Sequence, residues 1–480
     1  MLMLIDGGWT KAAGGLADTI LNPATNEAIA DVPRAGAEDV LRAVEAAQHG
    51  KARMAAMPSH RRYEILEAVA RRIEANQAEL GTLLCRENGK RLGETTSEVS
   101  VAARIFRSYA EEAKRQFGRS VPLDSIPGRE RSMAITRHEP LGVVAAIVPF
   151  NYPVELWSHK VAGGLAAGNA VITKTPEDCP LAIIEISRYL EEAGLPKAAH
   201  QVLTGGRDTG EALARAEGVQ MIAMTGSTAA GKRILEVAAQ TLKKVHLELG
   251  GNDATIVCED ADIDHVAAAL VAGRFTSGNG QICCAVKRVL VHRAIFDQLL
   301  AAVSKRTAAL KVGDPLEAAT DVGPLINARA AERVEAQVRQ AVADGASIVA
   351  GGKRNGNFFE PTILTGVTPG TPAFSDETFG PVLPLIAYDD FEQALALAND
   401  SPFGLQAAIF THDMRKIMRA YEVLDVGTVV VNHTTAIRVE TLPFGGNKGS
   451  GNGREGIHET LLHMSKEKTL LLTDVFGPGA

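Results

Sequence analysis

The chain has 480 residues, 46% hydrophobic and 22% charged, and carries 50 Lys and Arg against 57 Asp and Glu for a formal net charge of −7. That length exceeds what one hydrophobic core supports and, at ~150 residues per domain, predicts about three domains. Mild acidity without a Lys/Arg block argues against nucleic acid or anionic membranes as partners. An odd set of five cysteines, with no C-x-x-C, argues against a disulfide framework and a zinc site.

The first residues, Met1-Leu2-Met3-Leu4-Ile5-Asp6, lack the basic start of a signal peptide. The longest apolar run, 141–148, stops at Pro149, far short of the ~20 residues that span a bilayer. A reducing, cytoplasmic setting is therefore expected. Residues 1–35 read as short strands and turns, with Asn22-Pro23 as a breaker. From Ala37 to about Gln116 the pattern is helical, with apolar Ile65, Leu66, Val69 and Ile73 three and four apart. Residues 119–140 alternate like a hairpin, and such an excursion needs another surface to bury it.

Next come strand, loop and helix in repeated alternation. Strand 142–148 ends at Pro149-Phe150-Asn151-Tyr152-Pro153, and a helix follows through Trp157 and Lys160. Strand 170–173 ends in Lys174-Thr175-Pro176-Glu177, ahead of a helix to about Glu192. A short strand at Val202-Leu203 is followed by strand 221–224, which ends in Thr225-Gly226-Ser227 and leads to a helix over 232–242. Strand 244–249 closes in Gly250-Gly251-Asn252. This alternation predicts βαβ units and a parallel sheet, whose ligands bind beyond the carboxyl ends of the strands. Asn151, Lys174, Glu177, Ser227 and Glu248 all fall there. The second half repeats the style, with helices near 263–273, 295–310 and 328–344. The tail 466–473 reads as a strand that pairs with an edge, of the 119–140 excursion or of another subunit.

The stretch from Phe275 to Cys284, FTSGNGQICC, is too rich in glycine for a helix interior and reads as a loop carrying a candidate nucleophile at Cys283. Taken alone, a free Cys is more often a small buried hydrophobe. Gly226, Ser227 and Gly231, between strand and helix, would present N–H groups to an anion such as a pyrophosphate, or form a plain N-cap. Lys174 and Glu177 suit the hydroxyls of an adenosine ribose, and a Glu there would repel a 2′-phosphate; the alternative is a solvated charge pair. Glu248 could act as a general base or be a helix-capping or surface Glu, and Asn151 could hold an oxyanion or simply hold the turn.

Together the segments PFNYP (149–153), KTPE (174–177), TGSTAAG (225–231), LELGG (247–251), GQIC (280–283), ETFGPV (377–382) and PFGGNKGSG (443–451) resemble the aldehyde dehydrogenase superfamily, in the family's order and across nearly the whole chain. The resemblance implies an α/β fold with a Rossmann-like cofactor domain, a second α/β catalytic domain and a small β oligomerisation element. The expected boundaries are 1–118 with 139–250 for NAD binding, 251–450 for catalysis, and 119–138 with 451–480 for assembly as a homodimer or homotetramer. It implies that Cys283 is the nucleophile and Cys284 a neighbour, that Glu248 is the base, and that Asn151 and the Cys283 N–H hold the oxyanion. Phe150, Lys174, Glu177, Gly226, Ser227, Gly231, Leu249, Glu377 and Phe379 would contact NAD, with NADP as the alternative cofactor. A thiohemiacetal and then a thioester would form on Cys283, and a Glu248-activated water would release an acid. CoA in place of that water, or a scaffold relative without activity, are the rival readings. No metal is implied.

For the substrate, the family's tunnel implicates Val101, Tyr152, Leu156, His159, Arg438 and Phe444. Relatives acting on succinic semialdehyde carry arginines where His159 and Ser277 stand here, which argues against that substrate. Arg438 would meet an anionic tail, or pair with Glu440 or another loop acid. A small, oxygenated or anionic aldehyde is the expected partner.

Overall fold

The computed structural model describes residues 1–473. Two seven-stranded sheets organise the chain. In the first, Lys244–Glu248, Met221–Thr225, Val143–Ile147, Ala170–Lys174 and His200–Leu203 lie parallel in that order, and Met3–Ile5 with Gly8–Thr10 extends the edge antiparallel. The three central strands are buried along their whole length and rich in Val, Ile and Ala, as parallel strands covered on both faces must be. Register brings Thr225 beside Glu248 and Ile147 beside Lys174, so the motif residues emerge from one edge of the sheet. The second sheet runs Ser347–Ala350, Thr362–Thr365, Val382–Tyr388, Arg288–His292, Ala254–Val257, Gln406–Phe410 and Thr428–Val431. All its neighbours are parallel except the first pair. The α/β class expected from the alternation is the observed one.

The tail strand Ser465–Leu472 pairs antiparallel with Met133–Pro140 of the excursion, and Ser120–Pro122 completes a three-stranded sheet. The segment 451–464, expected in this small element, packs elsewhere. Its helix Ile457–His463 places Ile457 and Leu461, with Met464 just beyond, in the core formed by the helices Leu92–Ala113 and Pro153–Ala166. Three apolar residues at helical spacing had a buried face to fill. Residues 474–480 of the same expected element lie outside the described residues.

The helix expected over 232–242 spans Thr228–Ala239 instead. Ser227 caps it, its side chain accepting the Ala230 N–H at 3.3 Å, and Gly231 is tolerated within the first turn. No described helix is long and apolar enough to cross a membrane.

Candidate active site

Cys283 follows two tight turns, the π-turn Ala272–Thr276 and the 3-10 turn Gly278–Gly280. The loop is tied down. Asn279, at φ 51°, donates to the carbonyls of Gly89 (2.9 Å) and Pro324 (3.0 Å), and its own carbonyl accepts from Gly323 N (2.9 Å). Gln281 Oε1 accepts from Ile326 N at 3.1 Å. At Gly280, φ is 76°, and a Cβ would sit 2.5 Å from the Gly380 carbonyl carbon, so only glycine lets the two loops meet. Arg274, fully buried in the π-turn, donates to the carbonyls of Val382 and Thr378, and burial lowers its guanidinium to about 9. The expected glycine-rich loop is therefore rigid.

The two cysteines differ in exposure. Cys284 is buried and clusters with Ile282, Ala285, Leu405 and Phe444, whereas Cys283 is part-exposed. Both line a cavity of about 180 Å³ with Asn151, Tyr152, Leu156, Val101, Arg438 and Phe444. The hydrogen bond with Cys284 and desolvation raise the Cys283 thiol above an ordinary cysteine, and the Lys287 ammonium opposes them.

Asn151 stands in the turn before the helix Pro153–Ala166. A buried pair, Lys90 and Glu98, holds that turn. Lys90 donates to the Asn151 carbonyl at 2.6 Å, while Glu98 Oε1 accepts the N–H groups of Val154 (2.9 Å) and Glu155 (3.2 Å). A carboxylate at the first turn of a helix also suits its dipole. The Tyr152 hydroxyl donates to Glu94 Oε1 at 2.5 Å, and the same oxygen accepts Gly278 N at 2.8 Å, so one carboxylate links the Asn151 turn to the cysteine loop.

Glu248 ends its strand 3% exposed, with neither carboxylate oxygen hydrogen-bonded among the described residues. Burial, then the nearby Glu455, pushes its carboxyl well above the usual range. It does not line the cavity with Cys283; His246 Nε2 is 3.7 Å from its Oε1. Beside it runs a buried charge chain. Lys160 donates to Glu455 Oε1 (2.8 Å) and Thr225 Oγ1 (2.7 Å), and Arg438 donates to Glu455 Oε2 (2.7 Å). Despite its burial, Glu455 is held well below the usual carboxylate range by Lys160 and Arg438.

Arg438 also approaches Glu155 at 3.5 Å and stacks 4.6 Å from the Phe444 ring centroid. Its acid partners are thus Glu455 and Glu155, not Glu440, which pairs with Arg104 at 2.7 Å. His159, expected in the tunnel, is fully buried and does not line the cavity. Its Nδ1 lies 3.2 Å from the Tyr109 hydroxyl, and burial holds the ring well below ordinary histidine, hence neutral. The helix that carries it is covered on all sides, so its side chain turns into the core.

Phe150, Glu177 and Phe379 line a second, larger cleft of about 770 Å³, with Phe150 and Phe379 edge to face at 5.9 Å. Lys174 is 8% exposed, its amine lowered by burial, and Glu177 is exposed at the cleft. Gly226 and Ser227 form the start of the helix Thr228–Ala239 but do not line this cleft. A Cβ on Gly231 would lie 2.5 Å from Leu249 Cδ2, so the glycine lets helix and strand end pack together. Glu377 Oε1 accepts from Lys287 Nζ (2.8 Å) and Gly251 N (3.1 Å). The cleft's size and its aromatic wall suit a dinucleotide.

Lys90, Glu98, Lys160, Arg274, Lys287 and Glu455 were not singled out from the sequence. Lys160, Arg274 and Lys287 each place a charge in a largely apolar stretch, which implies a buried partner without saying which, whereas Lys90, Glu98 and Glu455 stand among polar residues and carry no such signal.

The model of the aldehyde dehydrogenase family matches residues 9–470. The chain is 40% identical over 471 residues to 3-sulfolactaldehyde dehydrogenase of Priestia aryabhattai, covering 98% of this chain and 97% of that one. It is 38% identical over 457 residues to a non-phosphorylating aspartate-semialdehyde dehydrogenase of Halomonas elongata, covering 94% and 91%. Among solved structures it superposes on the NADP-dependent glyceraldehyde-3-phosphate dehydrogenase of Bacillus halodurans C-125, complexed with NADP, at a TM-score of 0.95, with 37% identity and 98% and 99% coverage.

Proposed function

The chain belongs to the aldehyde dehydrogenase family, and from that premise we propose that it oxidises a small aldehyde with an anionic tail to the carboxylic acid. It is an NAD(P)-dependent enzyme by class; the proposal adds NAD as the preferred cofactor, with Glu177 repelling a 2′-phosphate. The observation that carries the substrate class is the pair Arg438 and Arg104 lining the small cavity of Cys283. Arg438 is anchored on one side by Glu455 at 2.7 Å, while its second acid, Glu155, lies 3.5 Å away with its carboxyl raised by burial to about 7, so near neutrality a stronger anion can displace Glu155 and share the guanidinium with Glu455. Arg104 is half-exposed, and its pair with Glu440 is of the weak surface kind. The names of the sulfolactaldehyde and semialdehyde relatives describe aldehydes of this size and charge.

In this reading Cys283, once deprotonated, adds to the aldehyde carbon. Asn151 and the Cys283 N–H hold the resulting oxyanion of the thiohemiacetal. Bound NAD(P) supplies the hydride acceptor. Glu248 then takes a proton from the water that attacks the thioester, and the Cys283 thiolate leaves as the acid departs. Glu248 reaches this step through that water, consistent with its place outside the cavity lining. We also assign assembly, as a homodimer or homotetramer, to the three-stranded sheet, whose Ile135, Leu470 and Leu471 are exposed, and we place the enzyme in the cytoplasm.

The test is a panel of three- and four-carbon aldehydes, sulfonated, carboxylated and uncharged, assayed with NAD and NADP. The expected result is kcat/KM at least about tenfold higher for the anionic members and for NAD, with the charge preference lost in Arg438→Met. Equal rates for uncharged members would sink the substrate assignment. Acyl-CoA formed only when CoA is supplied would replace hydrolysis with the acylating route.

A further inference from the structure

Lys287 is a buried cation, its side chain 1% exposed, four residues after Cys283. Its ammonium has three protons to donate, and it has three acceptors. They are the Cys283 carbonyl (2.9 Å), the Gly251 carbonyl (2.8 Å) and Glu377 Oε1 (2.8 Å). The same nitrogen lies 5.8 Å from the Phe379 ring centroid. One group thus joins the cysteine loop, the turn after the Glu248 strand and the 377–379 segment, which adjoin one another only in space.

The local geometry gives this contact a direction. Gly251 N donates to the same Glu377 oxygen that Lys287 holds, at 3.1 Å, so both hydrogen bonds to that carboxylate fall on Oε1. A Cβ on Gly250 would strike Oε2, so the glycine keeps that oxygen's surroundings open. Glu377 is anchored on one oxygen and presents the other. A buried ammonium tethering a carboxylate this way removes most of its rotamer freedom before any ligand arrives.

We infer that Lys287 is a positioning residue: it fixes Glu377 to receive a cofactor hydroxyl and holds that carboxylate in register with the Cys283 backbone. The inference rests on the reading that Glu377 contacts the cofactor and Cys283 the substrate. The three protons of Lys287 are matched by three protein acceptors, so its role runs through Glu377 and the Cys283 backbone. Its positive charge near the sulfur works in the same direction, favouring the thiolate.

The experiment measures NAD and NADP dissociation constants by fluorescence titration of the full-length enzyme, for the parent, Lys287→Met, Glu377→Gln and the double variant. The pH dependence of iodoacetamide labelling at Cys283, located by mass spectrometry, is followed in parallel. The expected results are about tenfold weaker cofactor binding in Lys287→Met and in Glu377→Gln, and little further loss in the double variant, because the two residues act as a unit. The Cys283 labelling curve should move to higher pH in Lys287→Met, which a merely structural loss would not produce. Lys287→Arg, keeping the charge, should restore part of both. If Lys287→Met does not fold, Lys287→Gln provides the same cycle. Glu377→Gln weakened but Lys287→Met unchanged would overturn the inference and leave the cofactor reading standing, as would losses that multiply independently. Unchanged binding in Glu377→Gln would overturn the reading beneath it and the inference with it.

Discussion

Glu377 and Glu248 come within a few residues of the same Gly250-Gly251 turn, yet their surroundings are opposed. Glu377 has an ammonium and a backbone N–H on one oxygen. Glu248 is 3% exposed with no hydrogen bond to either oxygen among the described residues. A carboxylate anchored by donors stays put. A carboxyl buried without them is pushed toward its neutral form and is poised to exchange a proton. The contrast supports the proposed positioning role for one and the proposed proton transfer for the other, although the sequence presents both simply as a Glu beside glycines or a turn.

The largest effect that would test this contrast is on turnover in Glu248→Gln. Losing a general base of this kind costs ~10²–10⁴-fold. We expect a steady-state kcat reduced to that extent, with the first turnover of NADH formation retained as a burst. An unchanged steady-state rate would remove Glu248 from the chemistry. The pH profile sharpens the same point. Both the Cys283 thiol and the Glu248 carboxyl are raised, and in the proposed mechanism Cys283 must lose its proton before hydride transfer and Glu248 at thioester hydrolysis, so kcat/KM should climb toward alkaline pH with the thiol and kcat with the carboxyl. Stability runs the other way. The neutral form of Glu248 favours folding below the ordinary carboxyl range, and that contribution is lost as pH rises through its raised value. Glu248→Gln should therefore flatten the alkaline fall of Tm while depressing turnover.

A smaller effect is expected on the acid side, where two buried histidines sit on strands of the first sheet, His200 on His200–Leu203 and His246 two residues before Glu248. Burial lowers His200 to about 3 and His246 to about 4. Both are neutral in the fold and titrate near 6.5 when unfolded. Their contribution is fully present above pH 6.5 and is lost as pH falls toward those lower values, at ~1.4 kcal/mol per unit for each ring. Thermal unfolding between pH 7 and 4 should show that loss, and His200→Gln should reduce it. An identical acid slope in the variant would show that His200 is not the titrating group.

How much of this was legible in the chain follows from the range of each interaction. The strands ending at Ile147, Lys174 and Thr225 were readable because apolar runs and Pro/Gly punctuation are local signals. Lys287 with Glu377, 90 positions apart, and Lys160 with Glu455, 295 apart, are pairs that no local pattern announces. His159 was misplaced for a related reason. The helix Pro153–Ala166 is buried on every face, so it lacks the polar stripe from which a side chain's direction is inferred. Arg438 was left between two readings, and its burial between Glu455 and Glu155 reflects a pairing that only the fold creates.

The smallest effect separates cap from ligand on the cofactor side. Ser227 was expected to meet a pyrophosphate or simply to cap a helix, and its hydroxyl does accept the Ala230 N–H. A hydroxyl engaged as an N-cap is worth ~1 kcal/mol to the fold. The helix start can still offer its other backbone N–H groups to an anion, since these do not depend on the side chain. Ser227→Ala should therefore lower stability by about 1 kcal/mol in denaturant unfolding while leaving the NAD dissociation constant within about threefold. Ser227→Asp keeps the cap but adds a negative charge where an anion would sit, so it should retain stability and weaken cofactor binding more than Ala does. If Ala and Asp weaken binding equally, the hydroxyl itself is the ligand contact. Ser227 would then belong with anchored Glu377 as a cofactor-positioning group rather than with the residues that only shape the fold.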